Sequence, residues 1–184
     1  TGYPLLLSEM TLLTAIRTAC VSALVAQYCA PKDSATLGIL GLGAQAEFQV
    51  MAMCEMFPIT KVLCFDPDIK AAHKFMSHMR EEGIACHQCK QPQEAVSEVD
   101  ICITTTARQN SDKPVVEDKW VHDSLHISAI GGDGPGKTEL AANTIKRASV
   151  VVAYLPQTKV EGEIQQVADK DLNLIYMNSI AEKT

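Results

Sequence analysis

The strongest constraint on the fold of this chain is an alternation of short apolar runs with helical segments. Predicted strands lie at residues 36–41, 61–66, 84–88, 99–105, 126–132 and 149–154. Predicted helices lie between most of them, at about 44–57, 68–82, 91–98 and 138–148. Strands that are apolar throughout are typical of a sheet with helices on both faces. The alternation predicts an α/β fold, a Rossmann-type doubly wound and mostly parallel sheet of about six strands.

A glycine motif follows the first of these strands. Residues 41–46 read GLGAQA, which places Gly41, Gly43 and Ala46 in the pattern G-x-G-x-x-A between a strand and a helix. Gly41 permits a tight turn, Gly43 lets a pyrophosphate approach the backbone, and Ala46 allows close helix–strand packing. The second strand ends at Asp66, whose carboxylate suits the ribose hydroxyls of NAD and repels the 2′-phosphate of NADP. The sequence therefore predicts an NAD site.

A second glycine-rich segment, GGDGPGKT at residues 131–138, matches the P-loop pattern of ATP- and GTP-binding enzymes. A P-loop follows the first strand of its own unit, whereas this segment follows the fifth strand of a sheet that already carries a dinucleotide motif. We therefore interpret it as a second loop of the same site, offering Asp133 and Lys137 near the nicotinamide end. Asp133 either shuttles protons from a partly desolvated position or stabilises the turn, and the pattern leaves both open.

The chain is predicted to divide into three parts. Residues 1–33 come from the side of a substrate domain: YPLLL at residues 3–7 reads as a short strand, and Ser8 can cap a helix from about residue 9 to 28. Apolar residues at helical spacing identify that helix: Leu12, Leu13, Ile16, Cys20, Leu24 and Val25. Residues 34–155 form the NAD-binding domain. Residues 156–184 form a return segment of unassigned fold, in which Glu161 and Glu163 are either a carboxylate pair or structural.

Composition and charge exclude several classes of function. The net charge is −6 and no run is rich in Lys or Arg, so we expect no nucleic-acid partner. No apolar run approaches the roughly 18 residues of a membrane span, so we expect no membrane partner. Seven cysteines, an odd number, indicate reduced thiols in a cytoplasmic protein. Cys86 and Cys89 form a CxxC without a second ligand pair, so we expect no metal. The start at Thr1 predicts a piece of a longer protein.

Four segments resemble the ornithine cyclodeaminase/mu-crystallin family: TGYPLLL with LLTAIRTACVSALVAQY, GILGLGAQAEFQ, HISAIGGDGPGKTEL and PQTKVEGEIQQ. They span nearly the whole chain, and GGDGPGKTEL and VEGEIQQ resemble the ornithine cyclodeaminase branch in particular. This resemblance implies conversion of L-ornithine into L-proline and ammonia, with a hydride passing from the substrate to NAD and back. A ketimine reductase, an amino-acid dehydrogenase and a non-catalytic crystallin-like protein remain alternatives. The resemblance does not separate ornithine from lysine or another amino acid as substrate.

The resemblance also implies roles for individual residues. Asp133 matches the catalytic acid/base, which contacts the substrate, and Arg17 matches an Arg that contacts both the substrate carboxylate and the cofactor. Thr104 or Thr105, at the end of the fourth strand, is expected beside the cofactor. The remaining implied cofactor contacts are Gly41, Gly43, Ala44, Gln45 and Ala46 in the phosphate turn, Asp66 at the adenine ribose, and Ile130, Gly131, Gly132 and Lys137 in the second loop.

The resemblance further implies that this chain holds only part of the catalytic apparatus. In the family, additional basic residues that bind substrate lie upstream of TGYPLLL, and the rest of the substrate domain comes from the other end. We expect the full-length protein to be a homodimer. We expect the 184-residue chain to bind NAD weakly and to turn over little substrate.

Overall fold

A computed structural model describes residues 2–107 and 113–181. The helices are α1 (Thr11–Cys29), α2 (Ala46–Met56), α3 (Ile69–Glu81), α4 (Glu94–Ser97), α5 (Ala142–Arg147), α6 (Leu155–Thr158) and α7 (Met177–Ala181). The strands are β1 (Thr36–Leu40), β2 (Lys61–Phe65), β3 (Cys86–Gln88), β4 (Ile101–Thr104), β5 (His126–Ala129), β6 (Ser149–Val152) and β7 (Asn173–Tyr176). Short 3₁₀ turns cover Asp118–Trp120, Glu163–Gln166 and Asp169–Asp171.

The main sheet has five parallel strands in the order β3-β2-β1-β4-β5. The chain moves outward from β1 to β3 and then returns to the other side of β1 at β4, which makes the gap between β1 and β4 the topological switch point. Ligands of such sheets bind outside the carboxyl ends of the strands at this point. The predicted doubly wound α/β fold is confirmed, and its carboxyl edge is where the site residues must be sought.

Both faces of the sheet are buried, as the apolar strands predict. Leu37 and Ile39 of β1 belong to a core shared with α1, α2 and α3, while Leu40 points into a second core on the opposite face. In β4, Ile103 joins the first core and Cys102 the second. The second core is closed by α4, α5 and residues after β6, including Ile145, Ile164 and Val167. The alternation of side chains along each strand therefore fills two apolar layers at once.

The prediction of a sixth strand in this sheet is wrong. β6 instead pairs in parallel with β7 to form a separate two-stranded sheet. The segment before it does not continue the β5 edge, because Leu140 bridges back to Val116. A short apolar run indicates a strand but does not say which strand it pairs with. Residues 156–184, left unassigned from sequence, supply that partner.

The N-terminal segment also differs from its prediction. Residues 3–7 form no strand and are exposed. Helix α1 begins at Thr11 with Met10 as its N-cap, so Ser8 lies too early to cap it, and its hydroxyl donates to the carbonyl of Glu9. The buried face of α1 consists of small residues, namely Ala15, Ala19, Ser22, Ala23 and Ala26. Its large apolar residues face outward, including Leu12, Leu13, Ile16, Val21 and Leu24.

Helix α1 has the length and composition of a membrane span. Its mean hydropathy is 1.4 over the most apolar window, and 28% of that window is buried. The expectation that no apolar run approaches this length does not hold for Thr11–Cys29. Length and composition alone are weak evidence for a membrane span, because the core helix of a globular domain can have the same length and hydropathy. The alanine face of α1 packs on α2.

Candidate dinucleotide-binding site

The first glycine of the motif forms the turn between β1 and α2. Gly41 has φ +86°, and a Cβ on it would lie 2.9 Å from the backbone of Thr105 and Thr106. Its N–H donates to the carbonyl of Phe65 at 3.0 Å. The turn is thus held between the ends of β2 and β4. A side chain at Gly41 is excluded both by the backbone conformation and by the space around it.

The second glycine lies against open space. A Cβ on Gly43 would meet no atom of the described residues within 4 Å, and Gly43 and Ala44 are exposed. The 11-residue helix α2 starts three positions later with Ala46, which is fully buried. The side-chain oxygen of Gln45 is buried without a partner among the described residues. An open glycine backbone before a helix N-terminus suits a pyrophosphate, because unpaired N–H groups and the helix dipole favour an anion.

The predicted ribose-binding acid lies beside this turn. Oδ2 of Asp66 accepts a hydrogen bond from the N–H of Leu42 at 2.7 Å, and Oδ1 accepts one from the N–H of Asp68 at 2.7 Å. Each carboxylate oxygen keeps a lone pair for a further donor. An open cavity next to it is lined by Asp66, Ile69, Gln88 and Lys90 among others. The carboxylate at the end of β2 and the glycine turn at the end of β1 are therefore fixed to each other.

The two threonines at the end of β4 have different surroundings. The hydroxyl of Thr105 donates to the carbonyl of Gly41 at 2.6 Å. Thr104 is fully buried and its hydroxyl donates to Oε2 of Glu139 at 2.6 Å. Thr104 is therefore not presented to a cofactor, since its side chain is used inside the protein. Thr105, against the glycine turn, stays a predicted neighbour of the cofactor.

The loop after β5 is not built as a P-loop. In a P-loop a helix begins at the lysine, whereas here α5 begins at Ala142 and Thr138–Ala141 are extended or irregular. Nζ of Lys137 donates to Oδ1 of Asp133 at 2.7 Å. The side chain of Asp133 is 70% exposed, so the partial desolvation that the sequence suggested is absent. Ile130, Gly131 and Gly132 are half-buried at the start of the loop.

One residue that sequence reasoning missed organises this edge of the sheet. The buried carboxylate of Glu139 accepts four hydrogen bonds. The donors are the hydroxyl of Thr104, the N–H and hydroxyl of Thr106, and the N–H of Gly131, at 2.6–2.7 Å. A Cβ on Gly131 would lie 2.4 Å from Oε1 of Glu139. Within GGDGPGKTEL, Glu139 offered no signal beyond its presence in a segment predicted to be helical.

Residues 161–166 hold the same loop from outside. Both oxygens of Glu163 accept backbone N–H bonds, from Glu139 at 2.8 Å and Leu140 at 2.9 Å. These bonds explain why the predicted helix 138–148 starts late. Burial raises the pKa of Glu163 to about 7.

The amide of Gln165 bonds to the backbone of Gly134, Gly136 and Lys137. Glu163 therefore does not pair with Glu161, whose carboxylate accepts from Gln157. The segments GGDGPGKTEL and VEGEIQQ fold together.

Arg17 and the two cysteines of the CxxC pattern, which the sequence also singled out, take no part in the hydrogen bonds described above. Arg17 lies on the exposed side of α1, and α1 packs on α2 and β5. Cys86 is half-buried and Cys89 is buried, and burial raises the pKa of these thiols to about 12 and about 11. Within residues 2–107 and 113–181, no three His, Cys, Asp or Glu side chains come together as a metal site.

Comparison with known proteins agrees with this geometry. The model of the ornithine cyclodeaminase/mu-crystallin family matches residues 1–179. The chain belongs to this family. The ornithine cyclodeaminase of Brucella suis is 43% identical over 168 residues, which cover 91% of this chain and 47% of the relative. The alanine dehydrogenase of Archaeoglobus fulgidus is 42% identical over 170 residues, 92% of this chain and 51% of the relative. The chain thus spans about half the length of these family members.

Solved structures of family members have the same fold. An archaeal alanine dehydrogenase dimer with bound NAD superposes with a TM-score of 0.88 at 37% identity, covering 100% of this chain and 58% of that structure. The Δ1-pyrroline-2-carboxylate reductase of Thermococcus litoralis, in complex with NADH and L-proline, gives 0.89 at 30% identity with the same two coverages. Family membership therefore establishes the fold, while relatives with similar identity are named for different activities, an ornithine cyclodeaminase and an alanine dehydrogenase.

Proposed function

We propose that the chain binds NAD at the carboxyl edge of its main sheet. The observation that carries this proposal is the pairing of the glycine turn with Asp66. The backbone at Gly43 is open and precedes the N-terminus of α2, and the N–H of Leu42 in the same turn donates to Asp66 at 2.7 Å. A pyrophosphate on the turn would put the adenine ribose within reach of the acid. The negative charge of Asp66 favours NAD over NADP.

We further propose that the full-length protein is an ornithine cyclodeaminase. The supports are the 43% identity to the Brucella suis enzyme and the joint folding of the two segments that resemble that branch. L-Ornithine would lose ammonia and close to L-proline, with no net oxidation. A homodimer, a cytoplasmic location and a substrate pocket completed by segments outside this chain belong to the same proposal.

The chain's own residues would orient the substrate and move protons. Bound NAD would accept a hydride from the substrate α-carbon and return it. Asp133, held at one oxygen by Lys137 and open to solvent, would exchange protons with the substrate amines. Closure of the complete site over Asp133 would supply the desolvation that it lacks here. Arg17 would bind the substrate carboxylate, for which a guanidinium is well shaped.

The experiment is an assay of the full-length protein with L-ornithine and a catalytic amount of NAD⁺. Proline and ammonia in equal amounts, without accumulating NADH, support the cyclodeaminase. In a second assay with NAD⁺ in excess of the substrate, formation of NADH in proportion to product would replace it with the second candidate, an amino-acid dehydrogenase, which the 42% identity to the Archaeoglobus fulgidus enzyme favours. L-Lysine and L-alanine, assayed in parallel, identify the substrate. Binding of NAD without turnover of any of them would favour a non-catalytic protein.

A further inference from the structure

Glu139 connects two loops that the sheet itself leaves separate. Thr104 is the last residue of β4, Thr106 lies in the loop after it, and Gly131 follows β5; all three donate to its carboxylate. Two neighbouring parallel strands hold each other only as far as the last hydrogen bond between them. Here that bond runs from the N–H of Ile130 to the carbonyl of Thr104. Beyond that point, the spacing of the two loops is set by Glu139.

The carboxylate of Glu139 cannot be replaced by an amide without loss. Oε1 accepts from the N–H of Thr106, and Oε2 accepts from the N–H of Gly131. Both donors are backbone groups that cannot reverse their direction, and both oxygens are therefore needed as acceptors. A glutamine in either orientation would turn its NH₂ group toward one of these N–H groups and leave it buried without a partner.

The loops that Glu139 joins lie on one half of the predicted cofactor site. Asp66 and the cavity beside it are at the ends of β2 and β3, on the adenosine side. The ends of β4 and β5 lie across the switch point, where the nicotinamide half of a dinucleotide rests. Thr105, between the two threonines that Glu139 holds, donates to Gly41. Glu139 therefore fixes the wall of the nicotinamide half without contacting the adenosine half.

A second buried carboxylate holds Glu139 in place. Glu163 accepts the N–H of Glu139 itself and that of Leu140. Gln166 donates to Glu163 at 3.2 Å and to the carbonyl of Leu140 at 3.0 Å. This keeps residues 139 and 140 out of helical conformation and directs the side chain of Glu139 back toward the sheet.

We propose that Glu139 is a positioning residue for the nicotinamide half of the cofactor, supported from behind by Glu163. It fixes the loops after β4 and β5 at the distance that this half requires. The proposal rests on the proposed NAD site. It predicts an effect that depends on which part of the cofactor is present, because ADP occupies only the half that Glu139 does not touch.

The test compares binding of NAD⁺ and ADP by calorimetry in the 184-residue chain and in Glu139→Gln. We expect the variant to raise the Kd for NAD⁺ roughly tenfold or more, because a buried donor loses its partner, and to leave the Kd for ADP unchanged. The matched control is Asp100→Asn. Asp100 accepts the N–H groups of Ala35 and Thr36 and the hydroxyl of Thr36 at the single oxygen Oδ2, at the opposite edge of the sheet. The amide oxygen of an asparagine can keep these bonds, so the control makes the same change from carboxylate to amide and should leave the ratio of the two Kd values unchanged.

The outcomes separate this proposal from the one on which it rests. If the unmodified chain binds neither ADP nor NAD⁺, the proposed site itself is wrong. If it binds both and a folded Glu139→Gln keeps the same Kd ratio, only the role of Glu139 is wrong. If circular dichroism shows that Glu139→Gln does not fold, the ratio of the Kd for NAD⁺ to that for ADP is measured in Thr104→Val instead. This change removes one donor to Glu139 and keeps the shape, and a rise of roughly threefold in the Kd ratio supports the proposal. An unchanged ratio overturns it.

Discussion

The carboxylate of Asp66 and the backbone N–H of Leu42 are joined by a hydrogen bond of 2.7 Å. This bond ties the end of β2 to the glycine turn at the end of β1. A ribose-binding acid and a pyrophosphate-binding turn must keep a fixed separation to bind one dinucleotide, and the bond fixes it before any ligand arrives. Such preorganisation reduces the ordering cost of binding.

Asp66→Asn tests the discrimination between cofactors. The amide oxygen can still accept from the N–H of Leu42, which keeps the bond between β2 and the glycine turn. The NH₂ group can no longer accept from the N–H of Asp68, and the negative charge that repels the 2′-phosphate is lost. We expect the ratio of the Kd for NADP⁺ to that for NAD⁺ to fall by roughly tenfold, the value of one well-placed charge interaction. Calorimetry with both cofactors measures it.

The control for this prediction is Asp68→Asn, two residues further along. Asp68 caps α3 by accepting the N–H of Lys70, a role that asparagine fills equally well. The control should leave the cofactor ratio unchanged. Equal ratios for all three proteins would show that Asp66 does not face the ribose.

The two glycines of the motif should respond differently to alanine. Gly41→Ala places a Cβ 2.9 Å from backbone atoms at φ +86°, and we expect a loss of about 2 kcal/mol or more in the free energy of unfolding. Gly43→Ala adds a methyl group to open space, so the fold should keep its Tm while NAD⁺ binding weakens sharply. Thermal unfolding and calorimetry separate the two effects. A Gly43→Ala variant that binds NAD⁺ normally would contradict the assignment of the phosphate turn.

Glu163 should give stability a distinct dependence on pH. Burial raises its pKa from 4.5 to about 7, so the folded state holds this proton more tightly than the unfolded state. The resulting stabilisation is complete below the ordinary value and is lost as the pH rises through about 7. Glu163→Gln removes this loss. Between about pH 5 and about pH 8, its free energy of unfolding should therefore rise relative to the unmodified chain, by up to about 3 kcal/mol.

Urea unfolding of the two proteins at both pH values measures this difference. The free energy of unfolding must be compared between the two proteins because His126 also makes stability depend on pH. Burial lowers the pKa of His126 to about 4, so its contribution to stability increases with pH over much of the range in which that of Glu163 decreases. Glu161→Gln is the matched control, since its carboxylate is bonded to the side chain of Gln157 rather than to buried backbone. A pH-independent difference for Glu163→Gln would contradict the prediction.

Asp133→Asn in the full-length protein tests the catalytic assignment. If Asp133 moves protons on the substrate amines, kcat should fall by about 10²–10⁴-fold, while the Kd for NAD⁺ changes little. Asp169→Asn is the control, because Asp169 is likewise an exposed partner of a lysine, Lys159, in a segment away from the glycine turn. Turnover by Asp133→Asn at the unmodified rate would leave Asp133 with only its turn-stabilising role.

The features that could be predicted from the sequence are the buried strands of the main sheet and the glycine turn after β1. The apolar runs that become β1, β2 and β4 are buried on both faces, and the glycine spacing places Gly41 where only a glycine fits. These features depend on a few neighbouring residues, so they can be read along the chain. The partner of β6 is β7, a strand more than twenty residues further along the chain. The apolar run that predicts β6 does not indicate which strand it will pair with.

Long-range polar contacts account for most of what was missed. Thr138–Ala141 were predicted to be helical, but Glu163 takes the N–H groups of residues 139 and 140. Glu139 then turns inward to contacts up to 35 positions away. In α1, small residues face the core and large apolar ones face outward, which reverses the usual expectation. Helical spacing identifies the helix but not the face that packs.

The most direct test of the account is calorimetric titration of this chain with NAD⁺ and NADP⁺ in parallel. The glycine turn and Asp66 predict that NAD⁺ binds and that NADP⁺ binds at least roughly tenfold more weakly. That result would establish the cofactor site on the described edge of the sheet. Equal affinity for the two cofactors, or no binding of NAD⁺, would contradict it.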